Sequence, residues 1–434
     1  MLDDAIARHA EHAERLLADL VAADSTLGRE QAALEVFAAE LEDLGLEVTR
    51  PEFRPETLTD PRAGVSPAYA VSDLSQDQRD RSRYQVLGST PGTGGYHLLL
   101  NGHIDVVPVV AGTALWTDPP FTPTVRGRRL YGRGSGDMKG GFALGCLAIR
   151  AALEVRPDLF ERRRLGFLAV VEEECSGNGA LATCLDGVLA EEVLLLEPTD
   201  LGILLGGVGV LWLDIEVTGH AGHADVAHLV QNPVDLGMRV VERLRGWCRD
   251  LSLKESDPHL AEVESPYNLN LGGVDAGDWN SSVPARATLR VRVGFPRGWS
   301  AEEAEARVRA EIEDLVASDP AFAGPPVVRS SGLRARGYYQ DPDVPLVRDL
   351  AAAHRDAHGV EPRLFSLGST TDARTYVNDF GIPAACYGTR SHNIHGVDES
   401  VDLDSLVEGA RTVGRFLLAR FGADGDGAEA GGTP

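Results

Sequence analysis

Apolar positions Ile6, Leu16, Leu17, Leu20 and Val21 fall at helical spacing, which predicts an opening helix over residues 3–22. Ser25-Thr26 offers a cap for a second helix running to Leu44, where Gly45 stops it. Leu46 to Phe53 reads as a strand, and residues 55–85, Pro-rich and poorly periodic, as an irregular insertion. Strand and helix then alternate. The run Tyr96-His97-Leu98-Leu99-Leu100 predicts a buried strand, Phe142 to Val155 an apolar helix, 165–171 and 193–196 further strands, with a helix after Gly179 between them. This alternation predicts an α/β architecture, a mainly parallel sheet flanked by helices.

The pattern changes after residue 207. Val208 to Val217 reads as a long strand, Asn232 to Trp247 as a helix, 267–273 and 286–294 as strands, and Ser300 to Ala317 as a helix. Strands and helices in this order predict an α+β two-layer unit. The α/β pattern then resumes with a helix at 344–358 and a strand at 383–387. The expected organisation is one domain formed by 1–207 and 331–421, with a second domain, 208–330, inserted into it. The Gly/Ala/Asp-rich stretch 422–434 is expected to be a disordered tail.

Bulk properties narrow the classes. A chain of 434 residues exceeds one typical core, in line with two domains. With 43% hydrophobic and 25% charged residues it reads as globular, and no apolar run approaches the ~20 residues of a membrane helix. Met1-Leu2-Asp3-Asp4 is acidic and leads into an amphipathic helix, unlike a signal peptide, so a cytoplasmic enzyme is expected. A net charge of −25 argues against nucleic acid as a partner. Five scattered cysteines (Cys146, Cys175, Cys184, Cys248, Cys386) contain no Cys-x-x-Cys, which predicts neither a disulfide framework nor a thiolate zinc site.

Candidate chemistry gathers where predicted strands end. His103 and Asp105 follow the strand 96–100 through the Asn101-Gly102 turn, the place where open α/β sheets bind ligands. Asp137, Glu172-Glu173-Glu174 and Glu197 stand in later loops of the same kind, and His392 and His395 lie near the C-terminus. Carboxylates and imidazoles suit hard or borderline divalent cations, and two such ions can share a carboxylate and a water. Acidic residues crowd exposed loops in any protein, but that alone does not explain five such signals, two of them with histidine.

The segments Gly102-His103-Ile104-Asp105-Val106-Val107-Pro108, Gly136-Asp137-Met138-Lys139-Gly140-Gly141, Glu172-Glu173-Glu174, Glu197-Pro198-Thr199, Thr371-Asp372-Ala373-Arg374 and Asn393-Ile394-His395-Gly396-Val397-Asp398-Glu399 come in one order over residues 100–405. Together they resemble the signatures of the co-catalytic zinc amidohydrolases: acetylornithine deacetylase, succinyl-diaminopimelate desuccinylase, aminoacylase and glutamate carboxypeptidase. The resemblance implies a zinc-peptidase-like catalytic domain and an inserted dimerisation, or lid, domain. It implies two divalent metals, zinc first and cobalt or manganese as substitutes. His103 and Glu197 would bind one, Glu174 and His395 the other, and Asp137 both. Asp105 would orient His103, and Glu173 would be the general base. The triple glutamate also admits a Glu172/Glu173 register; Glu173/Glu174 puts Gly179 five residues after the ligand, as in the family. His395 is preferred to His392 because Glu399 follows it by four.

Within the predicted insertion, Gly219-His220-Ala221-Gly222-His223 precedes Asn232-Pro233. The resemblance implies a histidine here that reaches the partner subunit's site; His223 fits by spacing, with His220 and His228 competing. The family's proline after that histidine is missing. Arg292 resembles the arginine that grips a substrate carboxylate, Asn280 stands near Ser281-Ser282-Val283-Pro284 where the family has Asn-Val-Val-Pro, and Thr371 is a further substrate contact. The expected activity is removal of an acetyl, formyl or succinyl group from an amino acid or small amine, acetylornithine-deacetylase-like, by a homodimer. Aminopyrimidine deformylation and dipeptide or carboxypeptidase hydrolysis are the alternatives within the family. A metal-binding protein without catalysis is the alternative outside it.

Overall fold

The computed structural model describes residues 1–67, 75, 83–109, 113–255 and 257–422. Residues 68–74 and 76–82 of the expected insertion, and 423–434 of the expected tail, lie outside the described residues. Among the described residues the large sheet has nine strands. At its centre Arg163–Val170, Thr93–His103, Val193–Leu195 and Ala384–Cys386 run parallel in that order; the strands outside them pair antiparallel, except Leu364–Leu367, which runs parallel to Ile203–Gly207. The central segments are apolar on both faces, as a doubly covered parallel sheet requires. Leu98 and Leu100 point to one core and Leu99 to the other.

On the first face lie the helices Leu2–Ala22, Gly140–Val155 and Leu403–Gly422; on the second lie Asn178–Leu185 and Ala373–Asp379. The helix Gly140–Val155 approaches closely: a Cβ on Gly141 would lie 2.1 Å from the Leu196 carbonyl oxygen. A side chain there would push the turn that carries Asp137 away from the strand end that carries Glu197.

A separate four-stranded antiparallel sheet orders Leu269–Ala276, Arg286–Phe295, Gly209–Thr218 and Val327–Ala335. Its residues Leu211, Leu213, Ile215 and Val217 pack beneath the helices Pro233–Lys254 and Ala301–Ser318. Asn232 and Ser300 cap these helices with their side chains, at 2.9 and 3.1 Å, as their sequence positions predict. Chain order therefore leaves the large sheet after Ile203–Gly207 and rejoins it at Tyr338–Tyr339. This is the α/β fold with an α+β insertion expected from the pattern.

Two local readings differ. The second helix starts at Gln31 and Ser25-Thr26 does not cap it; Thr26 instead bonds Asp24 and bridges to Val106. The strand expected over 46–53 shortens to Glu47–Thr49. All five cysteines are free and buried. No described helix is long and apolar enough to cross a membrane.

Candidate metal centre

Parallel pairing explains why residues so distant in sequence meet. His103 is in register with Val170, and Asn101 with Leu195, so the segments after those strands leave the sheet at one edge. His103, Glu173, Glu174 and Glu197 thus share one pocket with Asp137, from the turn Ser135–Lys139, and His395, from the loop before Ser400–Asp402. Sheet order gathers the site.

Asp137 is its centre. One carboxylate oxygen, Oδ1, lies 3.1 Å from His103 Nε2, and the other, Oδ2, lies 3.2 Å from His395 Nε2. His395 Nε2 is also 3.1 Å from Glu174, and His103 Nε2 is 3.8 Å from Glu197 and 4.0 Å from Glu173. The Asp137–Met138 peptide bond is cis. His395 and Glu172 hold φ of 62°, in the left-handed region, which residues other than glycine rarely adopt away from functional sites.

Charge is crowded here. Burial pushes the Glu197 carboxyl up to about 8 and Glu173 well above the carboxylate range, with His103 pulling both back. Burial opposes a charged His103, yet Asp137, Glu197 and Glu173 lift its imidazole well above the usual value. The Glu174 charge raises His395 to about 11. Asp137 is held below its usual value because hydrogen bonds from both imidazoles outweigh its burial. Glu174 Oε1 is buried without a hydrogen-bond partner among the described residues. Clustered carboxylates with an orphaned oxygen and two imidazoles are the donor set of divalent cations, so the residues fit such ions. A second convergence, His12, Glu40 and Asp43, is different: Arg150 donates to Glu40 at 2.7 Å and to Asp43 at 2.6 Å and already supplies the positive charge.

The triple glutamate divides by orientation. Glu172 turns away from the pocket, accepting from the hydroxyls of Ser66 at 2.6 Å and Ser176 at 2.8 Å, while Glu173 and Glu174 face it. Asp105 behaves less directly than expected. Its main-chain oxygen, not its carboxylate, accepts from His103 Nδ1, at 2.9 Å, and this leaves Nε2 free to ligate. The carboxylate accepts instead from the backbone N–H groups of Glu173 and Glu174, at 3.3 and 3.1 Å.

Of the expected substrate contacts, Arg292 and Thr371 line the pocket, with the Thr371 hydroxyl 2.9 Å from the Tyr338 phenol. His223 and Asn280 do not line it. Both are exposed near the small pairing of Gly222–His223 with Ser282–Val283, and the His223 ring pairs with Asp225 at 2.6 Å. His220 and His228 are exposed too, and His392 stands outside the pocket.

Three residues escaped the sequence reading. Glu399, seen there only as a spacing mark, accepts from the backbone N–H groups of Gly134, Gly136 and Asp137, at 3.1, 2.9 and 2.9 Å, and pairs with Arg133, both side chains being 1% exposed. Arg133 donates onward to the Gly396 carbonyl at 3.1 Å, tying the Asp137 turn to the His395 loop. Lys139, fully buried and lowered to about 7 by that burial, donates to the carbonyls of Leu20 and Ala23 at the C-terminal end of the first helix. A lone Arg or Lys next to a glycine-rich turn gives no sequence sign of such partners.

Known proteins resemble this chain over most of its length. Residues 99–419 match peptidase family M20/M25/M40. Succinyl-diaminopimelate desuccinylase of Methylobacterium radiotolerans is 30% identical over 420 residues, 94% of this chain and 96% of the relative. Among solved structures, a dipeptidase of Saccharomyces cerevisiae superimposes with a TM-score of 0.77 at 14% identity, over 98% of each chain. Human carnosine dipeptidase 1 does so with 0.75 at 15% identity, over 97% of this chain and 99% of that one. The family match, spanning both the central strands and the His395 loop, makes the chain a member of peptidase family M20/M25/M40 and a hydrolase of amide bonds.

Proposed function

We propose that the chain is a two-metal N-acyl amino acid amidohydrolase, zinc being the first candidate, that removes an acetyl, formyl or succinyl group, in the manner of acetylornithine deacetylase. The observation that carries this reading is Asp137, whose two oxygens address His103 and His395 while Glu173 and Arg292 line the same pocket. His103 and Glu197 would hold one ion, Glu174 and His395 the other, and Asp137 would serve both. Such ions, when bound, would supply Lewis-acid polarisation of the amide carbonyl and a lowered pKa for water.

The remaining chemistry belongs to side chains. Glu173 takes a proton from water at its carboxylate and passes it to the departing amine. Burial of this group favours its protonated form, which suits the second half of that exchange. Arg292 grips the carboxylate of the amino acid. His223, exposed and away from its own pocket, donates to the oxyanion in the site of a second copy, so the working unit is a homodimer held through the inserted domain, 208–330. Five buried cysteines, all free, suit the reducing cytoplasm.

The test is a screen of N-acyl amino acids and dipeptides against protein loaded with zinc or cobalt, read by amine release. Metal-dependent cleavage of N-acyl amino acids is expected. Binding of two metals without cleavage of any amide would leave a metal-binding protein and end the proposal; cleavage of dipeptides alone would move it to peptide hydrolysis.

A further inference from the structure

The pocket wall facing the metal centre comes from the small sheet, and its composition is unlike that of the opposite wall. Trp212 on Gly209–Thr218 is in register with Arg292, and Arg292 with Asn270 on the next strand, so the three form one row. All three line the pocket. Register partners on adjacent antiparallel strands have Cβ atoms about 5 Å apart, so Arg292 and Trp212 project from neighbouring points of one wall into the same pocket. The Arg292 guanidinium donates to the Asn268 side-chain oxygen at 2.6 Å and the Gly368 carbonyl at 2.9 Å, both neutral acceptors. Its charge is left for a ligand.

Trp212 is seated rather than loose. A Cβ at Gly332 would lie 2.3 Å from the indole ring, so the ring rests where only glycine leaves room. Val210 and Leu333 of the small sheet add to its apolar surface, and Leu204 and Leu367 of the large sheet line the same pocket. Outside the metal centre, the pocket lining among the described residues contains no carboxylate. An ammonium group on a substrate side chain would be desolvated there without a counter-ion, which is costly, whereas an apolar side chain would meet matching surface.

We propose that this pocket selects N-acyl α-amino acids with a large apolar side chain, and that Trp212 on Gly332 is the residue that determines this specificity. The inference rests on the reading of Arg292 as the grip on the substrate carboxylate. It separates the chain from relatives whose amine carries a second charged group.

The experiment compares kcat/KM for N-acetyl and N-succinyl derivatives of leucine, phenylalanine, glycine, ornithine and diaminopimelate on the zinc-loaded enzyme. Leucine or phenylalanine derivatives are expected to exceed the ornithine and diaminopimelate ones by about tenfold or more, and Trp212→Ala to shrink the leucine-to-glycine ratio by about tenfold. Trp212→Phe should keep most of that ratio. Calorimetric binding of the free amino acids leucine, phenylalanine and ornithine to the same protein reads the wall without catalysis. Preference for ornithine or diaminopimelate in either assay, no binding of leucine or phenylalanine, or an unchanged ratio in Trp212→Ala, overturns the inference. Trp212-dependent binding of leucine without cleavage of any derivative upholds the specificity and removes the amidohydrolase reading instead.

Discussion

Asp105 touches His103 with its backbone oxygen, 2.9 Å from Nδ1, while its carboxylate stays 3.8 Å away and holds the N–H groups of the glutamate loop. One residue therefore orients a histidine and fixes the loop of Glu173 and Glu174 at once. Asp105→Asn keeps the backbone contact with His103 but turns one acceptor into a donor facing two N–H groups. Metal affinity should fall about 10–100-fold, the usual effect of breaking a partner behind a ligand. Competition with a chromogenic chelator measures it; wild-type affinity in the variant would show that the loop holds without the carboxylate.

Glu173→Gln should keep both metals, since the five proposed ligands remain, yet lose about 10²–10⁴ of kcat with its proton carrier. Glu172→Gln, whose target already bonds Ser66 and Ser176, should cost stability rather than turnover. Steady-state rates together with metal stoichiometry on both variants check the assignment. A Glu172→Gln protein that binds metal and is dead, beside a Glu173→Gln protein that has lost one metal, would shift the register by one.

Arg133 and Glu399 form a buried pair that joins the Asp137 turn to the His395 loop. Removing one partner leaves a buried charge alone and costs about 3–5 kcal/mol. Glu399→Ala should accordingly lower the denaturation midpoint, and added zinc should restore less of it than in the wild type because the Asp137 turn is no longer held. Denaturant melts with and without metal give both numbers. A variant that melts like the wild type and gains equally from zinc would contradict the clamp.

Legibility in the sequence followed the kind of signal. The parallel sheet is readable because strands such as 96–100 are apolar without interruption, and the candidates His103, Glu173, Glu174 and Glu197 are readable because they end or follow such strands, whereas Asp137 and His395 stand on a turn and a loop outside them. What links the ligands is not. Glu399 stabilises the Asp137 turn through backbone N–H groups, which carry no residue identity, and Arg133 reaches His395 across 262 positions of chain. Trp212 read as one more apolar residue of a strand, since only the register with Arg292 and the bare Gly332 beneath it distinguish it. The second helix starts later than its cap pattern predicts, at Gln31, because Thr26 bonds the Asp24 carboxylate and bridges to Val106 instead of opening a helix.

His354, which does not line the pocket, supplies a pH dependence of stability. Its imidazole, packed against Tyr387 and His358, is lowered to about 4, chiefly by burial, with His358 adding to the shift and Glu361 opposing it. The unfolded histidine titrates near 6.5, so between the two values the unfolded chain binds more protons than the folded one, to about one in excess. This contribution to stability is complete above about pH 6.5 and is lost as the pH falls through about 4. His354→Gln should flatten the loss over that window. Urea midpoints at neutral pH and in mild acid test it, and equal losses in variant and wild type would assign the acid sensitivity elsewhere.

The proposal that His223 works in a second copy predicts complementation between two inactive proteins. Its ring pairs with Asp225 on an exposed segment, and the pocket of its own chain lacks it. His223→Ala should lose about 10²-fold or more in kcat, the scale for removing one oxyanion donor, with metal binding intact. Glu173→Gln is inactive for a different reason. In a mixed dimer, the site that retains Glu173 receives His223 from the other protomer and is complete, while the second site lacks both. Random exchange of subunits makes about half the dimers mixed, with one working site of two, so about a quarter of wild-type activity should return. Activity that stays at the level of the separate variants, in a preparation shown to exchange, would place the histidine's action within its own chain or outside catalysis.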